Sequence, residues 1–205
     1  IGMSLLWSTR NIRNQVRQTV EQTNAHALKL WAGNVQNRLD ALYEHLYDLL
    51  VSLYNSTELR TGTPIMDVST KQKIIEMMND KLMISTDADA FFVLDTENDF
   101  YLFSASSTLS NQDIFHLKTH CWTAALDAPL SLREQSWKVL EVGDISYFYK
   151  NIQLGKYIAG VACRLSRFSP EKTVAILGQD PTFFLALPDQ NFTWLGEPDW
   201  TGNPG

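Results

Sequence analysis

Few residues in this chain have both the type and the spacing that chemistry requires. His116-Leu117-Lys118-Thr119-His120 sets two imidazoles one helical turn apart, which is metal-ligand spacing, with Cys121 adjacent. A zincin needs glutamate where Leu117 stands, and no third ligand follows from spacing, so the sequence predicts two exposed histidines and no metal. Arg133 and Arg164 offer planar guanidinium forks suited to a carboxylate. Trp122, Trp137, Tyr147 and Tyr149, with Phe148, supply the aromatic walls of which small-ligand pockets are mostly made, although aromatic residues in a sheet are ordinarily core. The ligand-binding candidates are therefore Trp122, Arg133, Trp137, Tyr147, Tyr149 and Arg164.

No glycine-rich phosphate loop, Gly-x-Ser-x-Gly elbow or paired-carboxylate motif occurs. Nothing here signals catalysis, so no enzyme and no cofactor is expected. Net charge is -6, and lysine and arginine are scattered through the globular part, which argues against nucleic acid. Arg10, Arg13 and Arg17 share a helix face and read as a solvated surface. Two cysteines, Cys121 and Cys163, do not make a disulfide framework, and their pairing is left open.

The elements that must hold these residues begin with a helical pattern from about Trp7 to Tyr54, roughly 70 Å at 1.5 Å per residue. Ile12, Val16, Val20, Leu28, Trp31, Val35, Leu39, Leu42, Leu46, Leu49 and Leu53 recur at the steps one helical face requires. A helix of that length sticks out of any compact domain, which points to sensing or assembly. A second helix is predicted over Thr70 to Met83, and strands over Ala90 to Asp95 and Phe100 to Ala105. Ser110 and Asp113 form a capping-box pattern for a helix that buries Ile114, Leu117, Cys121 and Ala124 and stops before Pro129.

An antiparallel meander follows, Trp137 to Val142, Ile145 to Ile152 and Tyr157 to Leu165. Its period of two puts Tyr147, Tyr149 and Asn151 on one face and Phe148, Lys150 and Ile152 on the other. Ser169-Pro170-Glu171 opens a short helix ended by Gly178, and a hairpin joins Phe183 to Leu187 with Phe192 to Leu195. The chain divides into a long N-terminal signalling or dimerisation helix (1–57), a sensor-like domain (68–168) and an extension (169–205) that reads as the start of a truncated second subdomain.

The run Ala90-Phe91-Phe92-Val93-Leu94-Asp95, the block Trp137 to Leu165 with Tyr147, Tyr149 and Gly160-Val161, and the order of elements resemble the Cache family. These are PAS-like sensor domains of bacterial receptors, as in the extracytoplasmic regions of YesM-type and LytS-type sensor histidine kinases. The resemblance implies an α+β fold, with the long helix packed along a five-stranded antiparallel sheet, a ligand pocket on the opposite face, and a C-terminal helix and hairpin. It also implies dimers formed through the helix. Amino-acid-binding members carry a tyrosine, arginine, tryptophan and aspartate signature. Here three residues separate Arg133 from Trp137 instead of one, and no tyrosine follows the tryptophan.

The function expected is thus extracytoplasmic ligand sensing for a bacterial membrane receptor, a two-component histidine kinase or a chemotaxis receptor. The ligand is an unidentified small molecule or a protein partner. A non-sensing interaction domain is the alternative. The opening Ile1-Gly2-Met3 reads as an excised piece, with the membrane spans expected in flanking sequence.

Overall fold

The computed structural model describes residues 2–56, 68–98, 100–127 and 136–168, with backbone alone at 2–13 and 24, and the short strands Phe184–Leu185 and Thr193–Trp194. Helix α1 runs from Gly2 to Asn55, and α2 from Val68 to Ile84. Strands β1 (Ala90–Asp95) and β2 (Phe100–Ala105) lead to α3 (Asn111–Leu126). The meander β3 (Lys138–Val142), β4 (Ile145–Leu154) and β5 (Tyr157–Arg164) ends in a single 3-10 turn, Leu165–Phe168. Strands β6 (Phe184–Leu185) and β7 (Thr193–Trp194) pair antiparallel, as the predicted final hairpin requires. The predicted helix after Ser169 falls outside the described residues.

The five main strands form one antiparallel sheet in the order β2-β1-β5-β4-β3. The fold is α+β, with the long helix along a five-stranded antiparallel sheet. Local chemistry explains where its elements start and turn. Ser110 Oγ accepts from the Asp113 amide at 3.1 Å while the Asp113 carboxylate faces the Ser110 N–H, so both ends of the capping box are closed. Gly143 and Gly155 hold φ near +60° in the turns that join β3 to β4 and β4 to β5, a conformation that costs a side chain dearly. Asp95, fully buried at the end of β1, accepts from the amides of Glu97 and Asn98 and pairs with Lys156 at 3.3 Å.

Each face of the sheet has its own core. On one, α1 sends Leu42, Leu46, Leu49, Leu50 and Leu53 against Phe91, Val93, Phe148, Ile152, Ala159, Val161 and Cys163, with α2 adding Ile74 and Met78. On the other, α3 lays Leu117, Cys121 and Ala125 over Phe92, Leu94, Tyr147, Tyr149, Ile158 and Ala162. β1 is buried on both sides, which is why it reads as a continuous apolar run and not as an alternation. Ala124 is only partly buried, because Ala125, one position on, takes the inner place, and Ile114 in the first turn is also only partly buried.

The apolar stripe of α1 changes character along its length. From Val35 onward its residues are in the core, whereas Val16, Val20 and Leu28 are exposed. Arg17 on this exposed half pairs with Glu21 one turn on, at 2.8 Å. A 3-10 turn fastens the helix where the domain begins. Trp31 Nε1 donates to the Phe168 carbonyl at 2.8 Å, and Arg38 Nη2 donates to the Arg167 carbonyl at 3.0 Å with its guanidinium 4.4 Å above the Phe168 ring. Arg38 also forms a two-pronged pair with Asp87.

Candidate functional site

The face under α3 holds a layer of aromatic rings. Phe92 stacks on Tyr149 with ring centres 6.0 Å apart, and Tyr101 meets Phe92 at 5.7 Å and Trp122 edge-on at 4.7 Å. The Phe92 ring can lie close to the sheet because β5 offers Gly160 beneath it. A Cβ at that position would sit 2.0 Å from the Phe92 ring. Asn151 donates to Tyr149 Oη at 2.9 Å in a pair that is almost wholly buried. Burial raises the phenols of Tyr101 and Tyr149 and the thiol of Cys121 above their ordinary ranges. Tyr147 is pushed up to about 12, first by burial and then by the negative charge of Asp89.

The layer opens to solvent at its β2 side. A groove of about 530 Å³ lies between β2 and α3, lined by Phe100, Tyr101, Phe115, Lys118, Thr119 and Trp122. Phe115, Lys118, Thr119 and Trp122 share one helix face at steps of three and four, so α3 builds one wall as an unbroken stripe. Tyr101 Oη donates to the Lys118 carbonyl at 3.1 Å and the Lys118 ammonium stands 6.0 Å from the Tyr101 ring. An apolar, aromatic cleft with the Lys118 ammonium at its rim suits a ligand that is partly apolar and partly anionic.

The structure separates the candidate residues. Trp122 lines the groove, Tyr149 lies in the layer behind it, and Tyr147 belongs to the same core on that side of the sheet. Trp137 does not join them. Lys138 pairs with Tyr149 and Val139 with Phe148, so the alternation along β3 turns Trp137 to the α1 side, where it meets Phe148 edge-on. There Lys150 sits 4.3 Å from the Tyr43 ring and 5.7 Å from that of Trp137, its ammonium pKa lowered by burial. Arg164 does not hold a free fork. Its backbone N–H, Nε and Nη2 are all directed at Asp89, a fully buried carboxylate that Arg167 also grips at 2.7 Å. Arg133 lies outside the described residues.

Cys121 and Cys163 are free and belong to the two different cores, so the sheet stands between them. His116 and His120 are exposed, and His120 Nδ1 is 2.8 Å from the His116 carbonyl. Among the described residues no group of three His, Cys, Asp or Glu could hold a metal ion. Sequence reasoning missed Phe92, Tyr101, Phe115 and Lys118. The stripe on α3 and the period-two pairing of Tyr101 with Phe103 were the available signals.

No family model matches this chain, and no curated protein matches it. Among solved structures it is similar to the sensory domain of the Campylobacter jejuni chemoreceptor Tlp3 (CcmL), crystallised with isoleucine bound. That likeness has a TM-score of 0.48 and 14% identity and covers 82% of this chain and 67% of the other.

Proposed function

We propose that this chain is the extracytoplasmic ligand-sensing domain of a bacterial membrane receptor. One observation carries the reading: the same two strands, β4 and β5, form the floor of the aromatic layer and the seat of α1. Whatever displaces Tyr149 or Phe92 from above presses on a sheet whose underside holds the long helix. Binding beside Trp122 and Tyr101 would thus bias the position of α1. A ligand moves such an equilibrium only by its differential affinity for the two positions, and a shift from 1:99 to 99:1 takes about 5.5 kcal/mol.

The parent protein in this reading is a two-component sensor histidine kinase, with a chemotaxis receptor as the alternative output. Catalysis would reside outside this chain, and membrane spans would flank it. Among the described residues no helix is long and apolar enough to cross a membrane. A homodimer through the exposed half of α1 would cover Val16, Val20 and Leu28. That exposed stripe also favours the second reading, a pure assembly domain that holds no ligand.

A thermal-shift screen against amino acids, organic acids, sugars and nucleosides tests the sensor reading. A ligand present at a hundred times its Kd stabilises the folded chain by about 2.7 kcal/mol, a readily measured rise in melting temperature. The expected result is a saturable rise from one chemical class that Trp122→Ala abolishes. No rise from any class would favour the assembly reading.

A further inference from the structure

The two edges of the sheet are guarded differently. Edge strand β3, Lys138–Val142, carries an exposed lysine and an exposed glutamate, Lys138 and Glu141. Edge strand β2 reads Phe100-Tyr101-Leu102-Phe103-Ser104-Ala105, with no charge and no proline. Such an edge is a ready template for another strand. The ladder shows which of its groups are free to act. The Ser106 amide donates to the Asp89 carbonyl at 2.8 Å in register with the β1–β2 pairing, so residues 100, 102 and 104 turn their backbone toward β1. Tyr101, Phe103 and Ala105 turn theirs outward, and among the described residues no strand pairs with that side.

The side chains of Tyr101, Phe103 and Ala105 point to the α3 side, where the groove runs beside the edge. We propose that the β2 edge and this groove together dock an extended, acidic and apolar peptide segment of a partner protein, which adds a sixth strand to the sheet. Alternate side chains of an added strand would face α3, so one apolar residue enters between Phe115 and Trp122 and an acidic one meets Lys118. Outward backbone donors and acceptors select a polypeptide over a small molecule. Charge selects a partner over the β2 edge of a second copy, because β2 holds no acidic residue to offer Lys118. The proposal goes beyond the sensor reading but shares its groove, so a small molecule bound beside Trp122 and Tyr101 would compete with the peptide, and protection of the Tyr101 and Phe103 amides separates the two occupants.

The test is selection of binders to the 205-residue chain from a random decapeptide library, followed by amide exchange of the selected complex. Selected peptides should alternate apolar residues and carry an aspartate or glutamate in that register. They should slow exchange at the Tyr101 and Phe103 amides. N-methylating the peptide residues that face β2 should weaken binding at least tenfold. Lys118→Glu should also weaken it at least tenfold, and a peptide with lysine in place of the acid should recover that loss. Lys118 is exposed, so the substituted chain keeps its fold, which its melting curve checks. The proposal is overturned if no peptide binds below millimolar concentration or if N-methylation leaves affinity unchanged. It is equally overturned if the chain alone forms a concentration-dependent dimer that protects the same two amides.

Discussion

At the scale of single residues, the contact between Phe92 and Gly160 leaves no room for a side chain on the strand beneath the ring. The Phe92 ring lies where a Cβ on Gly160 would have to be, and Phe92 is itself fully buried with Tyr101 and Tyr149 against it. Gly160→Ala should therefore cost about 1–3 kcal/mol through overpacking, measured by chemical denaturation. Phe92→Leu alone should also destabilise, but combined with Gly160→Ala it should recover part of the loss, because the smaller side chain vacates the contested space. Equal and additive losses would show that the two residues do not compete. Arg164 carries a different lesson. Its fork was legible in the sequence, but its partner was not, since Asp89 lies 75 residues away and only the folded sheet brings them together.

Among the elements, those with a strong period were readable. The bounds of β1 and β2 agree residue for residue with the apolar and aromatic runs and the turn signal between them, and the capping box placed the start of α3. Faces were harder than elements. Trp137 sits one residue before β3, and which side it takes depends on the pairing of Lys138 with Tyr149, a register that no local pattern encodes. The attachment of α1 to the end of β5 was also invisible, because it runs through a backbone carbonyl of the 3-10 turn. Trp31→Phe keeps an aromatic ring, though a smaller one, and deletes the hydrogen bond to Phe168. The expected loss is about 1 kcal/mol in the local opening free energy of α1 around residue 31, with the amides of β1 unaffected. Native-state hydrogen exchange reads both, and an equal loss in β1 would mean that the clamp supports the whole domain and not the helix junction alone.

The whole molecule buries acidic groups that prefer to stay neutral. Tyr147 is pushed up to about 12, and Tyr101, Tyr149, Cys121 and Cys163 are raised as well, chiefly by burial. In the unfolded chain these thiols and phenols ionise near about 8.5 and 10. The stability they contribute is complete below those values and disappears as pH climbs toward the folded ones, so the domain should lose stability progressively above about pH 8.5. Phenolate absorbance should then report the buried tyrosines only as the chain unfolds. Smooth titration of every tyrosine with the fold intact would contradict this. The sheet that separates the two cores also carries its own ruler. A slip of two residues between β1 and β5 would preserve which side chains face which core, and hydrophobic patterning alone would permit it. Phe92 would then lie over Ile158 or Ala162 instead of Gly160, and either side chain would occupy the space the ring needs. One missing side chain thus excludes the misfolded alignments that the alternation of apolar residues would tolerate.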